Sequence, residues 1–156
     1  MKASADLSTV EDGAESGLDF DTLDQVLGFH VRQAQGTMHR HIIAVLAEAD
    51  LTQKQSATLW LIGSNPGTSQ IAIGNALRMD RATTMAVIDK LEARTLVIRQ
   101  RSAVDRRRHE LYLTPAGQKL LVEVKAMVKA HEQAFADRFT PSELDTLIAL
   151  LKRLYV

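Results

Sequence analysis

Residues 68–117 read TSQIAIGNALRMDRATTMAVIDKLEARTLVIRQRSAVDRRRHELYLTPAG, and they carry the helix caps and β-prone segments that indicate the fold. A hydroxyl at Thr68 or Ser69 is placed to cap a short helix that continues to Leu77. Asp80 is placed to cap a second helix, whose inner stripe recurs at helical spacing: Thr84, Val87, Ile88 and Leu91. The stretch therefore begins with two short helices joined by a tight turn.

The second half of the stretch predicts a β-hairpin. The segments Leu96–Arg101 and Leu111–Leu113 are rich in β-prone residues, and the charged segment Ser102–Glu110 between them forms the tip. Two short helices followed by a β-hairpin is the order of elements in a winged helix-turn-helix. In that fold the second helix enters the major groove of DNA, and nearby basic groups contact phosphates or the minor groove.

Amphipathic helices flank this unit on both sides. Apolar residues recur at helical spacing over Phe20–Ala49, which predicts one long helix. Capping boxes begin a second helix at Thr52 and the last helix at Thr140, and Thr114–Pro115 opens another. A winged core of about 65 residues cannot cover the apolar stripes of both terminal helices, so we expect them to join two chains in a homodimer.

The predicted fold class is mainly α with a small β-hairpin wing, a winged helix-turn-helix with N- and C-terminal dimerisation helices. The chain divides into four predicted regions: a disordered acidic tail (1–18), an N-terminal helix for dimerisation and the ligand pocket (19–50), the winged helix-turn-helix DNA-binding region (51–114) and C-terminal dimerisation helices (115–156).

Composition limits the cellular setting. The chain has 156 residues, of which 46% are hydrophobic and 24% charged, as in a single soluble domain. The absence of cysteine excludes disulfides, thiolate metal sites and thiol nucleophiles, and it fits the cytoplasm. The longest apolar run, Ile42–Ala47, is too short to cross a bilayer, and the N-terminus is acidic where a signal peptide would be basic. We expect neither secretion nor membrane insertion.

The net charge is zero, but the charges are unevenly distributed. Residues 1–24 carry seven acidic residues against Lys2, whereas residues 78–108 carry nine Lys or Arg against four Asp or Glu. A charge run alone is more often a solvated surface. Here the basic excess coincides with the second helix of the turn and with the hairpin, which favours nucleic-acid binding.

The span from Thr68 to Gly117 resembles the helix-turn-helix and wing of the MarR-type regulators, the multiple-antibiotic-resistance regulator family. The most specific part is the wing, where Asp105-Arg106-Arg107 precedes Leu113-Thr114-Pro115-Ala116-Gly117. The family pattern is Asp, any residue, Arg, then a strand ending in Leu-Thr and a Gly three residues on. The flanking capped helices match the family's dimerisation elements, so the resemblance covers about residues 20–156.

The resemblance implies a homodimeric transcription factor, usually a repressor, that binds a pseudo-palindromic operator and is released by a small ligand. Arg107 matches the wing-tip arginine that enters the minor groove, and Asp105 matches the carboxylate that orients it. Family analogy points to an aromatic acid or its thioester as the effector.

The sequence departs from the family pattern at two places, and each departure leads to a structural or functional expectation. Thr95 stands where the family usually has glycine after the recognition helix, and a β-branched residue suits a left-handed cap poorly, so we expect a differently shaped helix end. Ala82, Met85 and Ala86 stand where relatives often have polar residues or arginine. Small apolar groups sense thymine methyls, so we expect a preference for T-containing half-sites.

The candidate DNA-binding residues lie at the start of the first helix of the turn, on the outer face of the second and at the hairpin tip: Ser69, Arg81, Ala82, Thr83, Met85, Ala86, Lys90, Asp105, Arg106, Arg107 and Arg108. For Met85 the alternative is a partly buried packing residue. For Arg106 and Arg108 the alternative is contact with phosphate or solvent that carries no sequence information.

The candidate ligand-binding residues are His30, His41 and Trp60, which could line a cavity between the first helix, the Trp60 helix and the Thr114 helix. Plain core packing is the alternative for Trp60. A metal site is not expected, because His39 and His41 are two residues apart and point to different sides of a helix. We expect no cofactor.

Catalysis is not expected either. The chain has no GxSxG, P-loop or HExxH motif and no GxGxxG after a strand. The alternative to a DNA-binding regulator is a winged-helix module that binds a protein. An arginine-rich wing speaks against that alternative, and steep salt dependence of duplex binding would separate the two.

Overall fold

The computed structural model describes residues 18–101 and 109–155. A short 3-10 helix, Asp21–Gln25, comes first. The remaining elements follow in chain order: α1 (Leu27–Ala47), α2 (Gln53–Ser64), α3 (Gln70–Ala76), α4 (Arg81–Ala93), β1 (Val97–Arg101), β2 (His109–Leu113), α5 (Pro115–Ala136) and α6 (Pro141–Lys152). Within these described residues, six α-helices and a two-stranded antiparallel hairpin confirm the predicted fold class.

The prediction of one helix over Phe20–Ala49 is wrong at its N-terminal end. Val26 is extended (ψ 110°) and separates the 3-10 helix from α1. The rings of Phe20 and Phe29 have centroids 5.7 Å apart. Residues nine positions apart in a continuous α-helix are separated by about 13.5 Å along the axis, so this contact requires the break.

The chain forms two compact units, and their boundary lies within α1, between His41 and Ile42. The unit that begins at Ile42 has one apolar core. Its most deeply buried side chains come from the C-terminal end of α1 and from α2, α4, α5 and both strands: Leu46, Leu59, Ile62, Ile88, Leu91, Val97, Leu111 and Val124. α4 and both strands of the hairpin therefore pack against the same apolar core.

The hairpin strands pair in register from Val97 with Leu113 to Arg101 with His109. β2 therefore begins two residues earlier than the sequence predicts. Thr68, just before α3, forms an additional bridge with Leu111, whose N–H donates to the Thr68 carbonyl oxygen at 2.8 Å. The wing is thus hydrogen-bonded to the segment that starts the helix-turn-helix.

In the part of the chain that the structure describes, three helices are followed by a residue other than glycine in the left-handed region: Asp50 after α1 (φ 51°), Arg78 after α3 (φ 51°) and Thr95 after α4 (φ 56°). After α4, the N–H of Leu96 donates to the Leu91 carbonyl oxygen at 3.0 Å, which is the Schellman arrangement. The expectation that Thr95 gives a differently shaped end is therefore wrong. The Thr114 hydroxyl donates to the Thr95 carbonyl oxygen at 2.6 Å and helps to hold this conformation.

No helix within residues 18–101 and 109–155 is long and apolar enough to cross a membrane.

Candidate nucleic-acid interface

The two helices of the turn begin with the predicted caps. The N–H of Ala72 donates to Ser69 Oγ at 3.2 Å, so Ser69 rather than Thr68 caps α3. The N–H and the hydroxyl of Thr83 donate to the Asp80 carboxylate, each at 2.7 Å. These hydrogen bonds, led by the backbone one, lower the pKa of Asp80 below its ordinary value of 3.8. A charged carboxylate therefore fixes the start of α4.

A glycine lets α3 and α4 approach closely. A Cβ atom at Gly74 would lie 2.8 Å from Thr84 Oγ1 and 3.3 Å from the Met79 carbonyl oxygen. The Thr84 hydroxyl is itself engaged, because it donates to the Asp80 carbonyl oxygen at 2.8 Å. The Thr84 hydroxyl and the Met79 carbonyl oxygen thus leave no room for a side chain at position 74.

α4 presents two chemically different faces. Its inner stripe is buried as predicted: Thr84, Val87, Ile88 and Leu91. On the outer side, Arg81, Ala82, Ala86 and Lys90 are exposed and Met85 is 40% exposed. Thr83 is half-buried. The fold therefore brings the candidate residues of α4 together on one accessible face of the helix.

An ionic cluster joins the wing to α4, and the sequence patterns did not predict it. Arg99 on β1 donates through one Nη to Asp89 Oδ1 and through the other to Glu92 Oε2 at 2.9 Å. Only 24% of the Arg99 side chain is exposed. The signal available in the sequence is the spacing of the two carboxylates, which lie three residues apart and therefore on one side of a helix.

A second arginine joins the end of α4 to the end of α1. The Arg94 guanidinium donates to the carbonyl oxygens of Asp50 and, at 3.2 Å, Ala49. Both carbonyls belong to the turn that follows α1, which ends at Ala47. Arg94 therefore links the end of α4 to the turn after α1.

The Leu-Thr-Pro-Ala-Gly motif at the base of the wing has a steric explanation. Thr114 caps α5, with the N–H of Gly117 donating to its hydroxyl oxygen at 3.0 Å, and Pro115 occupies the first helical position. A Cβ atom at Gly117 would overlap the carbonyl oxygen of Leu96. Glycine at this position therefore lets α5 lie directly against the start of the wing.

The wing-tip candidates fall outside the described residues. These candidates are Asp105, Arg106, Arg107 and Arg108, and their predicted roles stay predictions. The strands on either side of them are described up to Arg101 and from His109.

The three candidate ligand-binding residues lie in different surroundings. His30 is exposed, and its Nε2 donates to the Asp24 carbonyl oxygen at 2.7 Å. His41 is half-buried in α1. Trp60 is half-buried in α2, with Lys125 Nζ 5.2 Å from its ring centroid. Among residues 18–101 and 109–155, no group of three His, Asp or Glu side chains is arranged to hold a metal ion.

Comparisons with known proteins place this geometry in a family. A model of the MarR family matches residues 49–108. A putative transcriptional regulatory protein for the hcr operon of Thauera aromatica is 34% identical over 154 residues, which cover 98% of this chain and 88% of that protein. The transcriptional regulator HosA of Escherichia coli is 30% identical over 105 residues, which cover 67% of this chain and 78% of HosA.

Solved structures agree with this assignment. The transcriptional repressor CouR bound to a 23-mer DNA duplex has a TM-score of 0.84 and 32% identity, over 90% of this chain and all of that one. CouR bound to p-coumaroyl-CoA has a TM-score of 0.77 and 30% identity, over 88% of this chain and 96% of that one. Since similarity at this level extends over nearly the whole chain, this protein belongs to the MarR family and is a transcriptional regulator of that type.

Proposed function

We propose that the chain is a homodimeric, ligand-responsive repressor that binds a pseudo-palindromic operator through α4 and the wing. The observation that carries the proposal is the exposure of the polar and small side chains of α4 above a buried inner stripe. A helix held in this way can enter the major groove without losing its packing. The DNA-bound CouR structure, at 32% identity, supports the same use of the fold.

The exposed face of α4 favours two kinds of contact. Arg81 and Lys90 supply cations for phosphates, which position a protein on the duplex without reading sequence. Ala82, Met85 and Ala86 supply small apolar surfaces for thymine methyl groups. We therefore propose modest base specificity from α4, supplemented by Arg107 in a narrow minor groove.

Dimerisation through the terminal helices is supported by apolar surface that a single chain leaves exposed. α6 contains no buried residue, and four of its apolar side chains are between 37% and 51% exposed: Leu147, Ile148, Leu150 and Leu151. Contiguous apolar surface of this kind marks interaction sites. A two-fold dimer would present two copies of α4 to one face of the duplex.

The effector part of the proposal rests on the nature of the relative's ligand. CouR is solved with p-coumaroyl-CoA, an aromatic acid thioester, at 30% identity to this chain. We propose an aromatic acid or its thioester as the effector, with His30, His41 and Trp60 among the residues that bind it. Trp60 is the single tryptophan of the chain, so its fluorescence should change on titration with p-coumaroyl-CoA, whereas Trp60→Phe should remove the signal.

Variants of the wing and of α4 test the DNA-binding proposal. On a duplex selected by the wild-type protein, Arg107→Ala should weaken binding more than Arg108→Ala and should change the preference for A·T-rich flanks. Lys90→Ala should weaken binding to all sequences nearly equally and reduce the salt slope by about one unit per protomer contact. Lys129→Ala, an exposed change on α5, serves as the control.

Two outcomes would contradict the proposal. Unchanged affinity and flank preference in Arg107→Ala would remove the minor-groove role of the wing. Binding to duplex DNA that hardly falls as salt rises would favour the alternative, a winged-helix module that binds a protein.

A further inference from the structure

The recognition helix α4 has no net charge of its own. Its two cations, Arg81 and Lys90, are balanced by Asp89 and Glu92. Asp89 lies on the exposed side of the helix, one turn beyond Met85 and Ala86, with 54% of its side chain exposed. A carboxylate in that place would repel phosphates unless a cation holds it.

Arg99 supplies that cation from the wing. Its guanidinium binds Asp89 with one Nη and Glu92 with the other. Its Nε is buried and has no hydrogen-bond partner among the described residues. Both terminal nitrogens of the fork are therefore directed at α4 rather than towards solvent, although a count of basic residues assigns Arg99 to the DNA-binding charge.

A guanidinium that binds two carboxylates is a geometric constraint as well as a charge. Arg99 is on β1, directly paired with Leu111 of β2, so the fork fixes the wing strands against the recognition helix. Charge-assisted hydrogen bonds from a planar donor are directional, and lysine cannot reproduce the fork. Losing the fork should allow the wing and α4 to shift relative to each other.

We propose that Arg99 is a positioning residue for operator recognition, which sets the wing against α4 through Asp89 and Glu92 and makes no DNA contact itself. This inference rests on the proposed DNA-binding function. It assigns sequence discrimination, rather than general DNA affinity, to a cluster within the protein. Removing either side of the cluster should therefore cause the same loss of discrimination, whatever the change in charge.

The experiment compares affinity for two duplexes, one selected by the wild-type protein and one of the same length and composition with a scrambled sequence. Arg99→Gln removes a positive charge, and the double variant Asp89→Asn/Glu92→Gln removes two negative charges. Both should lower the ratio of selected to scrambled affinity about tenfold, the size expected for disturbing a coupled contact. The scrambled duplex should bind more weakly to the first variant and more tightly to the second.

Arg101→Gln is the matched control, because it makes the same change two residues along β1 at an exposed position. Its effect should be equal on both duplexes, so the ratio should stay at the wild-type value. Arg99→Lys keeps the charge but not the two-pronged guanidinium. It should lower the ratio of selected to scrambled affinity nearly as much as Arg99→Gln. Thermal melting of each variant checks the fold, and the double variant, which retains Arg99, decides the matter if Arg99→Gln does not fold.

The inference is overturned if Arg99→Gln and the double variant both keep the wild-type ratio, or if Arg99→Gln lowers both affinities equally and reduces the salt slope by about one unit, the behaviour of a phosphate contact. Failure of the proposed function looks different. In that case the wild-type protein itself would show no preference between the selected and scrambled duplexes.

Discussion

α4 and α6 have similar sequence patterns, but the apolar side of α4 is buried and that of α6 is exposed. They have 13 and 12 residues, and each begins at a side-chain cap and carries an apolar stripe. In α4 the stripe is buried, with Ile88 and Leu91 fully inaccessible, and the exposed side is polar or small. In α6 the apolar side is the exposed one, with Ile148 at 43% and Leu150 at 51%.

The difference indicates what each helix is prepared to bind. The apolar side of α4 packs within one chain, and its exposed side carries charged and small groups. Such a surface suits a polar partner such as DNA. α6 leaves apolar surface exposed, and such surface is stabilised by a second apolar surface. The two helices would thus serve two interfaces of one regulator, and substitutions in them should have opposite signatures.

The largest effect is expected from placing charge on the α6 stripe. The double variant Leu147→Asp/Leu151→Asp should sediment as a folded monomer, because an unpaired carboxylate is costly in an apolar interface. Its affinity for the selected duplex should fall about 100-fold or more, since the two half-sites are no longer linked. Ala149→Asp, on the other side of α6, should remain dimeric. A double variant that still dimerises would show that α6 is not the interface.

A matched pair of Ile→Ala substitutions, one in each helix, should differ in how the loss of stability depends on protein concentration. Ile88→Ala should lower the free energy of unfolding by about 2–5 kcal/mol at every protein concentration, because the cavity lies within one chain. Ile148→Ala should lower it by an amount that depends on protein concentration, because its partner would be another chain. Denaturant titrations at two concentrations measure both. A concentration-independent loss in Ile148→Ala would contradict the comparison.

A smaller effect is expected where α4 ends. Thr95→Gly should raise the free energy of unfolding by about 0.5–1 kcal/mol, because glycine adopts a positive φ without the clash that a β-branched residue suffers. Ala93→Gly, within the last turn of the same helix, should lower it instead. Thermal melts of the two variants provide the measurement. Destabilisation by Thr95→Gly would mean that the side-chain contacts of Thr95 outweigh its backbone strain.

The smallest effect is expected from the caps in acid. In the folded chain, hydrogen bonds from the backbone N–H and hydroxyl of Thr83 hold the pKa of Asp80 below 3.8, and those of Thr140 hold the pKa of Glu143 below 4.5. A lowered folded pKa gives stability that is present above the ordinary value and is lost as the pH falls through the folded value. Unfolding free energy should therefore decline below about pH 4.5.

The cap variants check the origin of that decline. Asp80→Asn keeps a hydrogen-bond acceptor at the start of α4 but cannot titrate, so it should show a shallower loss of stability in acid than the wild-type chain. Denaturant titrations between neutral pH and pH 3 compare the two. An identical acid response in both would assign the decline to other carboxylates.

Local signals in the sequence predict most of the secondary structure that supports the candidate interface. The caps at Asp80 and Thr114 and the buried stripe of α4 depend on residues within one turn of helix, so spacing alone reveals them. The apolar spacing of Phe20–Ala49 does not predict the break at Val26, across which the rings of Phe20 and Phe29 come together. The Arg99 cluster joins β1 to α4 in space, and no periodicity encodes such a contact.

At Thr95 a local sequence signal is present, but the prediction made from it is wrong. Its intrinsic preference argues against a left-handed cap, yet neighbouring hydrogen bonds and the packing of Leu96 impose one. Propensity is a weak guide where the surrounding structure determines the backbone. The wing tip and the effector residues rest on resemblance, so mutation rather than pattern must test them.

We expect two copies of α4, related by two-fold symmetry, to bind one DNA duplex. Hydroxyl-radical footprinting of the wild-type protein on its selected duplex tests this most directly. We expect two symmetric protected patches on one face of the DNA, with centres about one helical turn apart, since protein symmetry sets the half-site spacing. A footprint that covers a single asymmetric half-site would contradict it.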